Sequence, residues 1–537
     1  MGPGPDHRNE IHRLAATLFA LSQGTEGSKP AENGPITGAH VIRCLLLLAA
    51  FSFGPILSFW ATNVEHDPRV SALLVLGAAF FAGAAFPVLV FGRGSLAALH
   101  RAAGIGSVLL IALFNWRAFG GFRSPPLAME AAEHLLAAVI TVALVLVMYR
   151  WGASRYLRGA AFGMAAVVAI VSVTQLVRAE LAVDHVAVRR AAIPIARAEA
   201  GGAPDVYYIV LDGYGRFDVL GERYGLDLTA FRSELEKRGF VVPSRATSNY
   251  PVTTMSIPSA LAMDYPLEPG MGLGPDEEQA LNRIARGENP VVGFLRGRGY
   301  RYVHVESSLP ATRCGDAVDV CVSWPPIDDT VLGLLEGTPL APLLEKQLQR
   351  GTVRSKLAVF DRLETLARDG SEDPRFVFAH MLVPHPPLFL RADCEMDLDS
   401  RRSGNDVGAP PFREYIAFRM SAYADQVRCV NRLLLELLDA IPTDTVVVVA
   451  GDHGPDAGEQ LWKPAASWTD EDIEERVPIF HAVRLPERCR SNFPADVSLV
   501  NTFRIVFNCV FDTGMPLLPN RLLLVRTGEA LIERPPL

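Results

Sequence analysis

Three apolar runs with the composition of buried strands each lead into a turn that carries carboxylate or imidazole groups. They are Val206–Leu211 followed by Asp212, Phe376–Ala379 followed by His380 and His385, and Val446–Ala450 followed by Asp452 and His453. Carboxylates and imidazoles from separate strand ends form a plausible ligand set for a divalent metal, and zinc accepts both oxygen and nitrogen. Two simpler interpretations remain open: Asp212–Gly213 is also a common turn pair, and His380 alone would more often be a satisfied strand-end histidine.

A threonine-rich segment supplies the candidate nucleophile. Residues 248–259 read SNYPVTTMSIPS, a loop that is expected to turn into a helix near Thr253. The start of a helix offers free backbone N–H groups and a positive dipole end, which suit a phosphate. The alternative is that Thr253 or Thr254 is only the N-cap of that helix.

The elements that must position these residues alternate between strands and helices. Further strand-like runs include Tyr302–Val305, and the clearest helical pattern extends from Glu414 to Leu438, with apolar residues spaced by three or four. This alternation predicts an α/β domain with a mainly parallel central sheet, in which ligands bind at the carboxyl ends of the strands.

The first third of the chain is different in composition and predicts an all-α transmembrane bundle of about five helices. Apolar segments lie at residues 41–60, 70–92, 98–116, 131–149 and 157–177. A membrane-spanning helix needs about 20 mostly apolar residues, and the third segment is the doubtful one because its uninterrupted stretch is short. The predicted organisation is a disordered cytoplasmic tail (1–40), transmembrane helices (41–178), a juxtamembrane linker (179–203) and a catalytic domain (204–537).

Basic residues in the loops give the orientation. With five helices, the loops on one side carry Arg8, Arg13, Lys29, Arg93, Arg101, Arg150, Arg155 and Arg158, and those on the other side carry Arg69, Arg117 and Arg123. Positive charge accumulates on the cytoplasmic side, so the N-terminus is expected inside and the catalytic domain outside the cell membrane, whereas four helices would leave that domain cytoplasmic.

The cysteines indicate the compartment of the C-terminal domain, and the net charge bears on nucleic-acid binding. Cys44 lies in the first apolar segment, and the C-terminal domain holds six more: Cys314, Cys321, Cys394, Cys429, Cys489 and Cys509. An even number suits disulfides in an oxidising compartment, with a local bridge between Cys314 and Cys321 expected, although six free thiols are the alternative. The net charge of −8 and the lack of a dense basic cluster argue against nucleic-acid binding.

Taken together, these motifs and their order resemble the alkaline phosphatase superfamily, and within it the membrane-anchored sulfatase-like branch that includes phosphoethanolamine transferases and lipoteichoic acid synthases. The resemblance implies an alkaline-phosphatase-like fold for the C-terminal domain. It also implies metal ligands Asp212, Thr253, Asp452 and His453, with Thr253 as the nucleophile. It places His385 beside the substrate phosphate as a second catalytic group, with His380 and Asn249 as further substrate contacts.

Some departures from the family pattern refine this expectation. Ala260, not Arg, follows Ser256–Ser259, so sulfate-ester hydrolysis through formylglycine is not expected. No second Asp/His ligand set is evident, which predicts one divalent metal, zinc in preference to manganese or magnesium. The family's histidine shortly after Asp–His–Gly is missing, and His481 is the nearest later candidate.

The function that these features predict is metal-dependent transfer of a phospholipid headgroup, such as phosphoethanolamine or phosphoglycerol, through a covalent Thr253 intermediate. The expected partners are a membrane phospholipid donor and an envelope glycan or glycolipid acceptor, in a bacterial inner-membrane protein that is a monomer. A phosphoesterase that uses the same site, and a non-catalytic envelope scaffold that retains the fold, are the alternatives. A transporter is disfavoured because the apolar segments lack central acidic residues or lysines.

Overall fold

The structure is a computed structural model that describes residues 35–63, 70–116, 131–182, 203–323, 334–335, 338–370, 373–399, 412–457, 463–491, 493–525 and 529–536. Residues 1–34 of the predicted tail (1–40) and residues 183–202 of the predicted linker lie outside the described part of the chain.

Five helices form the N-terminal bundle in the described residues. They are α1 (Gly38–Thr62), α2 (Val70–Phe91), α3 (Leu96–Phe114), α4 (Ala131–Trp151) and α5 (Arg155–Ala182). Four of them, α1, α2, α3 and α5, are long and apolar enough to cross a membrane, and α4 is shorter over the residues whose side chains are described, Leu135–Trp151. The third segment, which sequence pattern left doubtful, is thus a 19-residue apolar helix.

Packing within the bundle is centred on α1, whose apolar side chains Cys44, Leu48 and Phe51 are buried among the other helices. Helix α5 packs along α1, whereas α4 packs on α3 at the other side of the bundle. Many large apolar side chains of α4 and α5 remain exposed, as expected for surfaces that face lipid.

The C-terminal part is an α/β domain. Its strands are β1 (Val206–Leu211), β2 (Phe240–Val241), β3 (Arg301–Val305), β4 (Val320–Val322), β5 (Arg375–Met381), β6 (Val446–Gly451), β7 (His481–Arg484), β8 (Leu522–Leu524) and β9 (Ile532–Arg534). Its helices are α6 (Phe217–Tyr224), α7 (Thr229–Lys237), α8 (Thr253–Ala262), α9 (Pro275–Ala285), α10 (Pro290–Arg296), α11 (Ala341–Arg368), α12 (Phe412–Ala440), α13 (Asp470–Arg476), α14 (Glu487–Arg490) and α15 (Thr502–Phe511).

Among the described residues, seven strands form the central sheet in the order β2-β7-β6-β1-β5-β3-β4, and β8 pairs with β9 in a separate two-stranded sheet. Strand β1 pairs in parallel with β5 and β6, and only β7 runs against its neighbours. Every residue of β1, β5 and β6 is buried, because helices cover both faces of the sheet. This confirms the predicted α/β class with a mainly parallel sheet.

The two faces of the sheet carry different helices. On one face, alternate residues such as Tyr207, Ile209 and Leu211 pack against α11 and α12. On the other, Val206, Tyr208 and Val210 pack against α8, α10 and α15. The catalytic domain meets the bundle through Leu334, which packs against Ile56 of α1 and Leu73 of α2.

Candidate active site

The alternation of side chains along the three central strands places the polar groups on one face. Leu211 of β1 is level with Met381 of β5 and with Gly451 of β6, so the three strands end together. Asp212 continues the series of Val206, Tyr208 and Val210, and successive side chains of a strand point to opposite faces. By the same rule Asp452 and His380 lie on that face, which α8 covers.

The side chains converge where the strands end. One carboxylate oxygen of Asp212, one of Asp452 and a ring nitrogen of His380 all lie within 4.8 Å of one another. His380 Nε2 is 3.4 Å from Asp212 Oδ2. His453 Nε2 is 3.4 Å from Asp212 Oδ1 and 3.3 Å from Asp452 Oδ2. All four side chains are at most 3 % exposed.

Backbone contacts orient the Asp452 carboxylate and the His453 ring. Asp452 Oδ1 accepts hydrogen bonds of 3.0 Å from the backbone N–H groups of Gly213 and His453. His453 Nδ1 lies 3.0 Å from the carbonyl oxygen of Gly454, which can only accept, so Nδ1 carries the proton. The lone pair of the neutral ring is therefore on Nε2, which faces the carboxylates.

Burial and neighbouring charge shift the pKa values in opposite directions. Burial, the repulsion of Asp212 and weaker opposing contacts together raise the pKa of Asp452 to about 6. Burial also tends to raise the pKa of Asp212, but His385, His380 and His453 outweigh it and hold that pKa well below its usual range. Burial, with the nearby positive charge of Arg476, lowers the pKa of His453 far below its usual value, so this imidazole is neutral.

Thr253 stands at the edge of this cluster. It is the first residue of α8, and the N-cap is Val252, whose extended backbone starts the helix. The simple capping interpretation of Thr253 and Thr254 is therefore wrong. Thr253 Oγ1 lies 3.1 Å from His453 Nε2, so its hydroxyl is directed at the cluster of Asp212, His380, Asp452 and His453.

His385 lies next to the cluster in the loop that follows β5. Its ring centroid is 6.3 Å from that of His453, and its Nδ1 donates to the carbonyl oxygen of Pro386 at 2.8 Å. Unlike the four buried residues, it is partly exposed. His385 can thus present Nε2 to a molecule that enters from solvent.

Asn249 does not fit the role in substrate contact that the sequence predicted. The side chain is fully buried. Its Nδ2 donates to Tyr265 Oη, Asn520 Oδ1 and the carbonyl oxygen of Arg521, and its Oδ1 accepts from the N–H of Val500. Both ends of the amide are engaged in holding the C-terminal segment, and we leave Asn249 out of the candidate site.

The contacts of His380 and His481 also differ from those that their predicted roles require. His380 has no exposed surface and aims Nε2 at Asp212, so it fits a metal ligand better than a substrate contact. His481 lies on β7, fully inside the domain, with Nε2 3.2 Å from Thr502 Oγ1. It does not join the cluster at the strand ends.

Arg476 is a supporting residue that sequence pattern did not reveal. Its Nε donates to the carbonyl oxygen of Pro251, two residues before Thr253, and its Nη1 donates to that of Gly454, each at 2.8 Å. One buried guanidinium thus ties the loop before Thr253 to the loop of His453. A side chain on Gly454 would come 2.2 Å from the carbonyl oxygen of Glu475, so only glycine allows this approach.

Helix α12 supports the other two loops. Tyr423 Oη donates to the carbonyl oxygen of Gly213 at 2.8 Å, and Asn431 Oδ1 accepts from Tyr214 Oη at 2.7 Å. Gln426 Nε2 donates to the carbonyl oxygens of Pro384 and His385. The stretch 421–431 therefore positions Asp212 and His385 from behind, although none of these three side chains offers a group to a ligand.

The orphaned atoms of the cluster indicate what it is built to hold. Asp212 Oδ1, Asp452 Oδ2 and His380 Nε2 are buried and have no hydrogen-bond partner among the described residues. Buried ionised carboxylates are costly unless they are paired or coordinate a metal. Oxygen and nitrogen donors at this spacing fit a divalent metal. A second group, Glu306 with Cys314 and Cys321, does not fit, because a disulfide joins the two sulfurs.

Comparison with known proteins agrees with this geometry. The model of the Sulfatase family matches residues 204–484, just over half of the chain, and the chain therefore belongs to that family. It is an enzyme of the alkaline phosphatase superfamily, whose members act on phosphoryl or sulfuryl groups. No curated protein matches the chain.

Solved structures with a similar fold include two phosphoethanolamine transferases. The C-terminal periplasmic domain of EcEptC from Escherichia coli is 14% identical, with a TM-score of 0.38, over 64% of this chain and 96% of that domain. The integral membrane lipooligosaccharide phosphoethanolamine transferase A from Neisseria meningitidis is 15% identical, with a TM-score of 0.38, over 86% of this chain and 95% of that one.

Proposed function

We propose that this protein is a membrane-anchored transferase that moves a phospholipid headgroup, such as phosphoethanolamine or phosphoglycerol, to a glycan or glycolipid of the cell envelope. The observation that carries the proposal is the direction of the Thr253 hydroxyl, 3.1 Å from His453 Nε2 and beside two buried carboxylates. A threonine hydroxyl at this place can act as a nucleophile, and Thr253 is not the cap of the helix.

The metal that fits is one divalent cation, and zinc suits a set of two carboxylates and two imidazoles. Asp212, His380, Asp452 and His453 would hold it next to Thr253. When bound, it supplies a Lewis acid that lowers the pKa of a hydroxyl and neutralises charge on a phosphoryl oxygen.

The side chains then divide the work. Thr253 Oγ1 forms the bond to phosphorus as the ester bond to the diacylglycerol oxygen breaks, and the proton of the Thr253 hydroxyl is released to solvent. His385, from the solvent side, gives a proton to the leaving oxygen. In the second half, the acceptor hydroxyl gives its proton to His385 and attacks the phosphothreonine diester, and Thr253 leaves and takes up a proton from solvent.

The helical bundle supports the proposal of a lipid donor. Helices α1, α2, α3 and α5 can span a membrane, and Leu334 of the catalytic domain packs on α1 and α2. We place the N-terminus in the cytoplasm and the catalytic domain outside. The three disulfides of that domain, Cys314–Cys321, Cys394–Cys429 and Cys489–Cys509, suit an oxidising compartment.

The test uses full-length protein in liposomes with tail-labelled phosphatidylethanolamine or phosphatidylglycerol. We expect labelled diacylglycerol from one of the two lipids, and its loss in Thr253→Ala. Thr254→Ala is the matched control, because Thr254 is also half-buried in the first turn of α8. It should keep most of the activity.

Other outcomes separate the alternatives. If free phosphorylated headgroup accumulates even with envelope glycolipid present, the protein is a phosphoesterase. If metal-loaded wild type releases no diacylglycerol from either lipid, the headgroup proposal fails. If Thr253→Ala stays active, the covalent mechanism is wrong.

A further inference from the structure

An apolar cleft runs along the helical bundle between α2 and α4, with α3 as its floor. Its volume is about 790 Å³, within the range of ~300–1,000 Å³ that is usual for small-molecule sites. It arises because α4 packs on α3 while α2 packs on α1 and α3. None of the residues that line the cleft belongs to the candidate site described above.

Small residues at every fourth position create the space. Ala79, Gly83 and Pro87 line it from α2, and Ala98 and Ala102 line it from α3. Such rows usually let membrane helices approach closely. Here they leave a gap instead, since a Cβ atom built on Gly83 meets nothing within 4 Å.

The two ends of the cleft differ in chemistry. Arg101, in the second turn of α3, lines one end, and Trp116, Pro339 and Leu340 line the other. Fifteen residues separate Arg101 from Trp116, which is about 22 Å along a helix. Pro339 and Leu340 lead directly into α11 of the catalytic domain, so Arg101 marks the end of the cleft far from that domain.

The guanidinium of Arg101 has a hydrogen-bond donor that the described residues leave without an acceptor. Its Nε atom is buried and has no hydrogen-bond partner among the described residues. A buried donor on a charged group is costly unless an acceptor meets it, and phosphate is a favourable partner of a guanidinium. The other lining side chains are almost all apolar, so the occupant must be apolar over most of its length and anionic at one end.

We propose that the cleft binds one membrane phospholipid, with its phosphate at Arg101 and an acyl chain along α3 toward Trp116. This lipid is distinct from the donor, because its phosphate lies at the end of the bundle opposite to Thr253. It serves as a packing element that fills the gap between α2 and α4 and reaches Pro339 and Leu340 at the start of α11.

The test measures retained lipid by native mass spectrometry of full-length protein released from micelles. All proteins carry Thr253→Ala, so that no lipid is consumed and the result does not depend on the proposed reaction. The probes are phosphatidylglycerol and diacylglycerol with identical chains. We expect wild-type bundle to retain one phosphatidylglycerol and to prefer it over diacylglycerol by about 10-fold or more, as a charged hydrogen bond is worth ~1.5–3 kcal/mol.

Two variants test the space in the cleft and the role of Arg101 separately. Gly83→Leu fills the cleft and should abolish retention, whereas Gly163→Leu, which also adds its Cβ in open space but on α5, should retain lipid as before. Arg101→Gln keeps the cleft and should remove the preference for phosphatidylglycerol. The comparison of Arg101→Gln with its parent does not depend on how well Gly83→Leu folds.

Equal retention by the parent and Gly83→Leu would mean adventitious lipid only and would overturn the site. Equal affinity of the parent for phosphatidylglycerol and diacylglycerol would overturn the role of Arg101.

Discussion

The ring of His453 shows how a single hydrogen bond decides the chemistry of the site. Because Nδ1 keeps its proton and donates a hydrogen bond to the Gly454 carbonyl oxygen, the lone pair of Nε2 faces Thr253, Asp212 and Asp452. A histidine held as the other tautomer would present an N–H to the same space and could not bind a metal there. The Asp–His–Gly motif therefore encodes both the proposed metal ligand His453 and, through the glycine, the contact that orients its ring.

His380 gives the first test at this scale. His380→Asn should lower the affinity for metal by at least ~10- to 100-fold, because removal of a group that only supports a metal ligand already costs that much. The measurement is metal content after dialysis against a graded chelator. His481→Asn is the control, since His481 is also fully buried on a strand but lies outside the cluster. Metal retention by His380→Asn equal to wild type would return His380 to a substrate role.

Arg476 gives the second. Arg476→Lys should lower kcat by about 10-fold or more, because one ammonium cannot reproduce two separated hydrogen bonds of ~1–3 kcal/mol each. The loop of Thr253 and the loop of His453 would then lose their common anchor. Steady-state kinetics with the labelled lipid would show it.

The matched control for this variant is Arg484→Lys. Arg484 is equally buried and also donates to backbone carbonyl groups, those of Thr445 and Pro442, at the opposite end of the sheet. Both variants should lose similar thermal stability, but only Arg476→Lys should lose kcat. A parallel loss of kcat in the two variants would reduce Arg476 to a structural residue.

At the scale of the elements, the strands and their polar ends could be predicted, because a buried parallel strand is a local pattern and Asp212, His380 and Asp452 directly follow or end such runs. The residues that hold the loops of the site in place could not be predicted. Arg476 meets Pro251 across 225 positions of the chain, and Tyr423 meets Gly213 across 210. No local period marks such residues, since only the order of strands in the sheet brings them together. The prediction that Asn249 contacts substrate was wrong for the same reason, because most of its hydrogen-bond partners lie near the C-terminus.

The loop that carries His385 is held from two helices at once. Lys356 of α11 is buried, and its Nζ donates to the carbonyl oxygens of His385 at 2.8 Å and of Pro386 at 3.2 Å. Gln426 of α12 bonds the same loop. Removal of the ammonium should therefore loosen the imidazole without disturbing the metal ligands.

Lys356→Met tests this role in positioning. We expect kcat to fall about 10-fold, a small part of the ~10²–10⁴ that a general acid contributes, with metal content unchanged. Lys346→Met is the control, because Lys346 lies exposed on the same helix. The dependence on His385 is checked in the double variant with His385→Gln, in which Lys356→Met should add little further loss. A full additional 10-fold loss there would show that Lys356 acts elsewhere.

At the scale of the whole molecule, helix α11 joins the two parts. Its start follows Pro339 and Leu340 at the membrane cleft, and Lys356, about 24 Å further along the helix, holds the loop of His385. The covalent cross-links have the opposite distribution: all three disulfides lie in the catalytic domain, and Cys44 in the bundle is free. The disulfides thus cross-link the catalytic domain, while the described helices of the bundle are held by apolar packing and by hydrogen bonds such as that from Ser58 Oγ to Gln175 Oε1.

The catalytic domain should lose stability in mild acid through histidines that are buried in the neutral form. Burial lowers the pKa of His481 to about 3, and burial likewise lowers that of His304 to about 3. In the unfolded chain each takes up a proton near pH 6.5. Between pH 6.5 and pH 3 the unfolded state therefore binds more protons, so the stabilisation is complete above pH 6.5 and is lost as the pH falls through this window.

The substitution His481→Gln isolates one of these groups. It removes one proton uptake, so its stability should fall less steeply with acid than that of wild type, by up to ~1.4 kcal/mol per pH unit below pH 6. Above pH 7 neither state takes up a proton, and the two unfolding curves should keep a constant separation set by the lost contact with Thr502. Chemical unfolding of the full-length protein between pH 5 and pH 8 measures both regimes, and identical acid slopes would show that His481 is not buried as a neutral group.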